Sequence, residues 1–259
     1  CHPSFSRGGM GRFLGVLTAV IIIVSCAGER KNLKDQSEPH VKMGISLMNE
    51  GNYTEALREL FEAEKIYSEY PLLQYTLGLA LRFKGDLEGA KKHLEKAIEL
   101  DPNYSEAYNN LGVVYMDLKR WDDAIPCFEK ALSDILYTTP ENAWYNLGVV
   151  YENKKDHPKA IECYKKSIEL APGNPRIYQV YKSLGRAYYN SSKYSEAVGS
   201  LQKAKGLNPK DPEIYLLLGE VYVRLRQRSK APGEFREVIR LDPTGPFGEK
   251  ARGYLRLLQ

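Results

Sequence analysis

The sequence predicts an all-α chain of six stacked helical hairpins, closed by a C-terminal capping helix. Three spacings lead there. Gly recurs at Gly44, Gly78, Gly112, Gly148, Gly185 and Gly219, in steps of 34, 34, 36, 37 and 34 residues. Twelve residues after each Gly stands an Ala, at Ala56, Ala90, Ala124, Ala160, Ala197 and Ala231. Four residues further on comes a bulky side chain: Leu60, Leu94, Phe128, Tyr164, Leu201 and Phe235. A fixed period of this length marks one supersecondary unit repeated in tandem. Gly and Ala are the small residues that let two antiparallel helices approach to about 8–10 Å, with the large residues interlocking around the contact. Such a unit has no complete core alone and must stack on its neighbours.

Taken in chain order, residues 1–25 read as an address. Arg7 and Arg12 precede an apolar run from Phe13 to Val24. That run is too short for a hydrocarbon core, which needs about 20 residues. A basic stretch, a short apolar stretch and small residues behind them match a secretory signal peptide. Ile23-Val24-Ser25-Cys26 resembles a lipobox, which implies lipidation (palmitate among the acyl groups) of Cys26 and cleavage just before it. The chain opens on Cys1, so Met10 is a candidate start. By resemblance to Gram-negative lipoproteins, Ala27 after the cysteine implies sorting to the periplasmic face of the outer membrane. Residues 26–36 are polar and read as a lipidated tether, reaching about 33 Å when extended.

The six repeats occupy residues 37–245. Leu or Met precedes each Gly, and Pro102, Pro172, Pro209 and Pro243 close most units, whereas the first repeat lacks a closing Pro. Asp86, Asp122 and Asp156 stand where second helices begin and are expected to cap them. Pro126 and Pro232 fall early in second helices, a tolerated position that can shift the helix start. Two extra residues around Thr139-Pro140 and three around Pro175 to Ile177 predict longer loops or helix ends. In residues 246–259, Phe247, Ala251, Tyr254 and Leu258 are spaced as one face of an amphipathic helix, which predicts a cap over the last open face.

The pattern resembles the tetratricopeptide repeat (TPR), over nearly all of residues 37–245. The resemblance implies a right-handed superhelix whose first helices line a concave, partner-binding groove. Counting each Gly as position eight, the family's groove positions fall in the front half on Val41, Ile45, Met48, Leu72, Tyr75, Leu79, Phe83, Asn109, Val113 and Met116. In the back half they fall on Asn142, Tyr145, Glu152, Asn153, Lys182, Arg186 and Tyr189. The front is mainly apolar and the back polar. An exposed apolar strip marks a partner site for an amphipathic helix or extended apolar peptide, with Met as adaptable packing. The same side chains would also serve if they only packed neighbouring repeats together, or if residues before the first repeat folded over them. Cochaperone TPRs carry a Lys/Asn carboxylate clamp; here Val41 and Ile45 stand at the corresponding positions, which argues against that ligand.

Other chemistries find little support. The formal charge is +4, or +2 once residues 1–25 with Arg7 and Arg12 are gone (35 basic against 33 acidic), without the basic stripe of a nucleic-acid binder. Cys1, Cys26, Cys127 and Cys163 make neither a disulfide framework nor a zinc site. Cys127 and Cys163 hold the same place in successive second helices, too far apart for the ~4.4–6.8 Å of a disulfide, so two part-buried thiols are expected. The four histidines are scattered, and no HExxH, GxSxG or phosphate-loop pattern occurs. The sequence therefore predicts no enzyme, no cofactor, no metal and no small-molecule substrate. Arg224, Arg226, Arg228 and Lys230 form a basic turn, either a solvated loop or a site for an acidic partner or lipid head group.

Within the repeats, the stretch from Tyr108 to Leu170 narrows the resemblance. It holds Tyr108-Asn109-Asn110-Leu111-Gly112, Phe128-Glu129-Lys130-Ala131-Leu132, Asp134-Ile135-Leu136-Tyr137, Pro140-Glu141-Asn142-Ala143 and Tyr164-Lys165-Lys166-Ser167. With the lipobox and six repeats, these resemble the pilotin-type lipoproteins of type IV pilus biogenesis and stability. The resemblance implies a scaffold that helps the ring-forming secretin reach or assemble in the outer membrane, holding an apolar secretin segment in its groove. An adaptor for another envelope complex, in outer-membrane protein insertion or cell-wall enzyme regulation, would share the same physics.

Overall fold

A computed structural model describes the backbone of residues 10–258 and the side chains of residues 28–258. The leader's apolar run and Cys26 thus lie outside the residues whose side chains are described. Among the described residues there are thirteen α-helices and no strand. They divide into two compact units, residues 1–110 and 111–259.

The first unit is two helical hairpins, α1 (Met10–Asn49) with α2 (Tyr53–Ile66) and α3 (Pro71–Lys84) with α4 (Leu87–Leu100), followed by the start of α5 (Ser105–Asp117). Residues 27–36, expected as an extended tether, are helical and continuous with the first repeat. Ten helical residues rise about 15 Å, not 33 Å. Glu29, Arg30, Lys31, Leu33 and Lys34 are good helix formers, and no Gly or Pro interrupts them until Pro39. The helix has a buried stripe that alternation of apolar residues did not reveal, because one member is Ser37: half-buried Leu33, then buried Ser37, Val41 and Gly44. Ser37 donates its hydroxyl to Lys34 O at 2.9 Å, which satisfies it there.

The second unit runs through α6 (Trp121–Leu132), α7 (Pro140–Asn153), α8 (His157–Leu170), α9 (Ile177–Asn190), α10 (Tyr194–Leu207), α11 (Pro212–Arg224), α12 (Ala231–Leu241) and α13 (Pro246–Leu258). Its core joins Tyr164, Leu184, Leu201, Ile214, Leu218, Phe235, Val238 and Ala251. Helix α11 is buried without a break from Ile214 to Tyr222, as a helix enclosed by neighbours on every side should be. Helix α13 packs on α12, where Tyr254 stacks on Phe235 at 4.8 Å between ring centroids.

The hairpins close as the three spacings require. A Cβ built on Gly78 would stand 2.6 Å from Leu94 Cγ, and one on Gly148 would stand 2.6 Å from the Tyr164 ring. At each of the six scaffold glycines the nearest side chain is the bulky residue sixteen positions on. The six paired alanines are all fully buried.

Among the local details one departs from expectation, the cap at Asp122. Asp86 and Asp156 cap α4 and α8, accepting from Gly89 N and Lys159 N, and Asn52 does the same for α2. Asp122 does not cap: the N-cap of α6 is Arg120, two residues earlier, which puts Asp122 in the first turn to pair with Lys154. Pro126 sits inside α6 without moving its start, whereas α12 begins on Ala231, three residues later in the repeat than its counterparts, with Pro232 in its first turn. The extra residues lie in the loops before α7 and α9, leaving both helices at 14 residues.

Candidate partner-binding surfaces

In the first unit the expected apolar strip splits into core and surface. Val41 is 1% exposed and packs with Leu60, Ala63, Leu73, Leu77 and Ala80. It holds the hairpins together and is no groove residue. Ile45, Met48 and Leu72 are half-buried against that same cluster. Leu79 and Tyr75 are half-buried, and Phe83 is 53% exposed, its ring stacked on Tyr53 at 4.8 Å. Tyr75 accepts a hydrogen bond from Asn110 Nδ2 at 3.1 Å and lies 5.0 Å from the Tyr104 ring. Asn109, also expected in the groove, is buried. The row left accessible runs Ile45, Met48, Leu72, Tyr75, Leu79 and Phe83. Beneath it, fully buried Gln74 donates to Glu64 Oε1 at 3.0 Å and Ser68 O at 2.9 Å, and accepts at 2.7 Å from His93 Nδ1. Burial holds His93 below the ordinary histidine pKa.

The second unit offers a different surface. Val113, Met116 and Tyr145 are half-buried and Asn142 is exposed. From α7 onward the first helices are joined by charge. Arg186 reaches Glu152 of α7 and Glu213 of α11, each at 2.8 Å. Lys182 binds Asp211 at 2.8 Å and Glu213 at 2.7 Å. Burial works against both cations, yet the carboxylates outweigh it and hold both pKa values above normal. The Tyr164 hydroxyl donates to Glu152 at 2.7 Å, and burial with that carboxylate raises its pKa. This network borders a cleft of about 690 Å³ lined by Tyr145, Val149, Glu152, Asn153, Lys155, His157, Arg186 and Asn190. Sequence reading placed Glu152, Asn153, Lys182 and Arg186 on this face, but the pairing that satisfies them has no sequence signature. Buried charges without such partners would cost several kcal/mol each, on the order of 3–5 when one partner is removed.

Elsewhere the chemistry is quiet. Cys127 and Cys163 are buried and in no disulfide, and burial pushes the Cys163 thiol up to about 12, which keeps it unreactive. Among the described residues no three His, Cys, Asp or Glu side chains group as metal ligands. Nor is any described helix long and apolar enough to cross a membrane.

Comparison with known proteins places these features. A family profile described as TPR repeat matches residues 78–119 and 185–225, and profiles described as tetratricopeptide repeat match residues 105–135 and 141–174. A probable UDP-N-acetylglucosamine–peptide N-acetylglucosaminyltransferase SPINDLY of Hordeum vulgare is 38% identical over 96 residues, 34% of this chain. The chain spans about a tenth of that protein's length. Among solved structures, PilF of Pseudomonas aeruginosa superposes with a TM-score of 0.75 at 20% identity, over 87% of this chain and 99% of PilF. PilW, a widely conserved type IV pilus biogenesis factor, gives 0.75 at 19% identity, over 83% of this chain and 97% of PilW. At such identities the likeness is one of fold. Six nested Gly–Ala hairpins, helices throughout the described residues and these profile matches identify the chain as a tetratricopeptide repeat protein.

Proposed function

We propose that this chain is a non-catalytic protein-binding scaffold, held at the periplasmic face of the outer membrane by acyl chains on Cys26, that assists assembly or localisation of the type IV pilus secretin. The observation that carries the reading is the length of the structural match: PilF and PilW are each covered almost end to end, not as one segment of a larger protein. The half-buried apolar row of the first unit supplies a surface for an apolar secretin segment, with Phe83 as its most exposed member. Repeats of this kind present partner surfaces on their first helices. Acylation supplies the membrane hold, since each buried methylene contributes about 0.8 kcal/mol and two chains suffice for stable anchoring.

The test follows both halves of the proposal. In cells, Cys26→Ser should move the protein from the membrane to the soluble envelope fraction and reduce the amount of multimeric secretin. A Cys26→Ser protein that stays membrane-bound rules out the lipid anchor. Normal secretin multimers in cells lacking the protein rule out the pilus role.

A further inference from the structure

Between the two helices of each hairpin, the chain turns through one left-handed residue, seven positions after the scaffold glycine. In the first unit that residue is Gly51 at φ 78° and Gly85 at φ 85°. In the second it is Lys119 at 59°, Lys155 at 62°, Ser192 at 60° and Arg226 at 57°. Side chains rarely adopt this conformation, because their Cβ crowds the following carbonyl; Gly adopts it freely. Three of the four turns in the second unit therefore place a long cation where Gly would fit without strain. A cation at a helix C-terminus recovers part of that cost from the helix dipole. Strain kept in place in this way points to use of the side chain itself.

These cations share one edge of the second unit. Lys154 of one turn pairs with Asp122 beside the preceding turn, and Arg224 Nε bonds Tyr189 Oη of the neighbouring hairpin at 3.4 Å, so successive turns stand side by side. Asp122 and Asp123 are taken up by Lys154 and Arg120. Lys119, Lys155, Lys193, Arg226 and Arg228 are exposed and hold no ion pair among the described residues. Charge rises along the edge to its last turn, where Arg224, Arg226, Arg228 and Lys230 fall within seven residues that contain no acid.

We propose that this edge of the second unit docks on an anionic bilayer surface through lipid phosphates. The cations sit one or more to a turn along an edge, and the free ones do not converge on a shared cavity as donors for a single carboxylate ligand would. A charged plane fits that arrangement better than a peptide does. The choice of bilayer over acidic protein also rests on the anchoring proposed above, since acyl chains on Cys26 would bring the chain to a membrane. Each Lys or Arg near such a surface strengthens binding by about fivefold, and salt screens it over about 10 Å.

Flotation of the full chain with vesicles tests it. Phosphatidylcholine vesicles are compared with vesicles containing one part phosphatidylglycerol in three, at low and high salt. The variant is Lys119→Gly, Lys155→Gly, Arg226→Gly and Arg228→Gln combined. Three of those changes relieve left-handed strain, so the fold should melt no lower than the wild type, and loss of structure cannot be mistaken for loss of binding. The wild type should bind phosphatidylglycerol vesicles at least tenfold better than neutral ones at low salt only, and the variant should lose that preference. Equal binding by variant and wild type would overturn the proposal. So would a cationic edge that captures polyglutamate but shows no phosphatidylglycerol preference, which would assign it to an acidic protein. Failure of the acylated wild type to bind neutral vesicles would count against the lipid anchor on Cys26 while leaving the phosphatidylglycerol comparison intact.

Discussion

The two units are built on the same skeleton and differ everywhere the skeleton does not need a particular residue. Gly78 closes on Leu94 in the first unit just as Gly148 closes on Tyr164 in the second, and the partner alanines are fully buried in both. Away from those positions the units part. The first presents Ile45, Met48, Leu72 and Leu79 along its first helices, while the later helices of the second present Glu152, Lys182, Arg186 and Glu213, locked in ion pairs. The first turns through Gly51 and Gly85, the second through Lys119, Lys155 and Arg226. The comparison teaches that packing fixes only a few residues per repeat. The remainder is free to make one unit apolar and the other charged.

If the skeleton is shared, breaking it should cost the same in both units. Gly78→Val and Gly148→Val should each destabilise by about 2–3 kcal/mol through overpacking against Leu94 or Tyr164, since Val is no worse a helix former than Gly. Urea denaturation measures both, and a large loss at one site with none at the other would break the equivalence. The next effect belongs to the second unit alone. Arg186→Met should cost about 2 kcal/mol, less than for a fully buried pair because Arg186 is 36% exposed, by leaving Glu152 and Glu213 without their shared cation. A neutral result would mean the network is decorative.

Smaller still is the turn. Gly85→Lys should lower stability by about 1 kcal/mol by importing the second unit's strained conformation into the first. Last comes a pH effect confined to the first unit. His93 is held below its ordinary pKa by burial, with Lys92 and Lys96 acting the same way and Glu64 and Asp86 opposing. The unfolded chain therefore binds this proton more readily than the folded one. Stability from a neutral His93 is complete above the unfolded value of about 6.5 and is lost as the pH falls below it. His93→Gln should flatten the fall in Tm on going from about pH 7 to about pH 5, and an unchanged slope would show that another group sets it.

Most of the skeleton was legible in the sequence because Gly, Ala and the bulky residue recur at fixed distances, and steric fit leaves few alternatives there. Loop lengthening before α7 and α9 could be read from the broken period. What escaped reading depends on partners remote in sequence. Val41 looks like a groove residue by register, and only the packing of α1 against α2 and α3 buries it. The helical extension of α1 was hidden because Ser37, a polar residue, occupies its buried stripe. Asp122 reads as a cap until Arg120, two residues earlier, is seen to hold the N-cap position of α6. No sequence rule identifies Lys119, Lys155 or Arg226 as left-handed, since the clue, an aligned Gly in other repeats, becomes meaningful only once the backbone angle is known.

The account stands most directly on whether the accessible apolar row of the first unit is a surface for another chain and not merely packing. Phe83→Asp tests this in one experiment that measures both melting temperature and secretin co-purified from the native envelope. A side chain 53% exposed should be replaceable at a cost of about 1 kcal/mol, mostly its lost stack on Tyr53, so the melting temperature should fall by no more than about 4 °C while the secretin is lost. Unfolding of the variant, or full retention of the secretin by a stable one, would contradict the account.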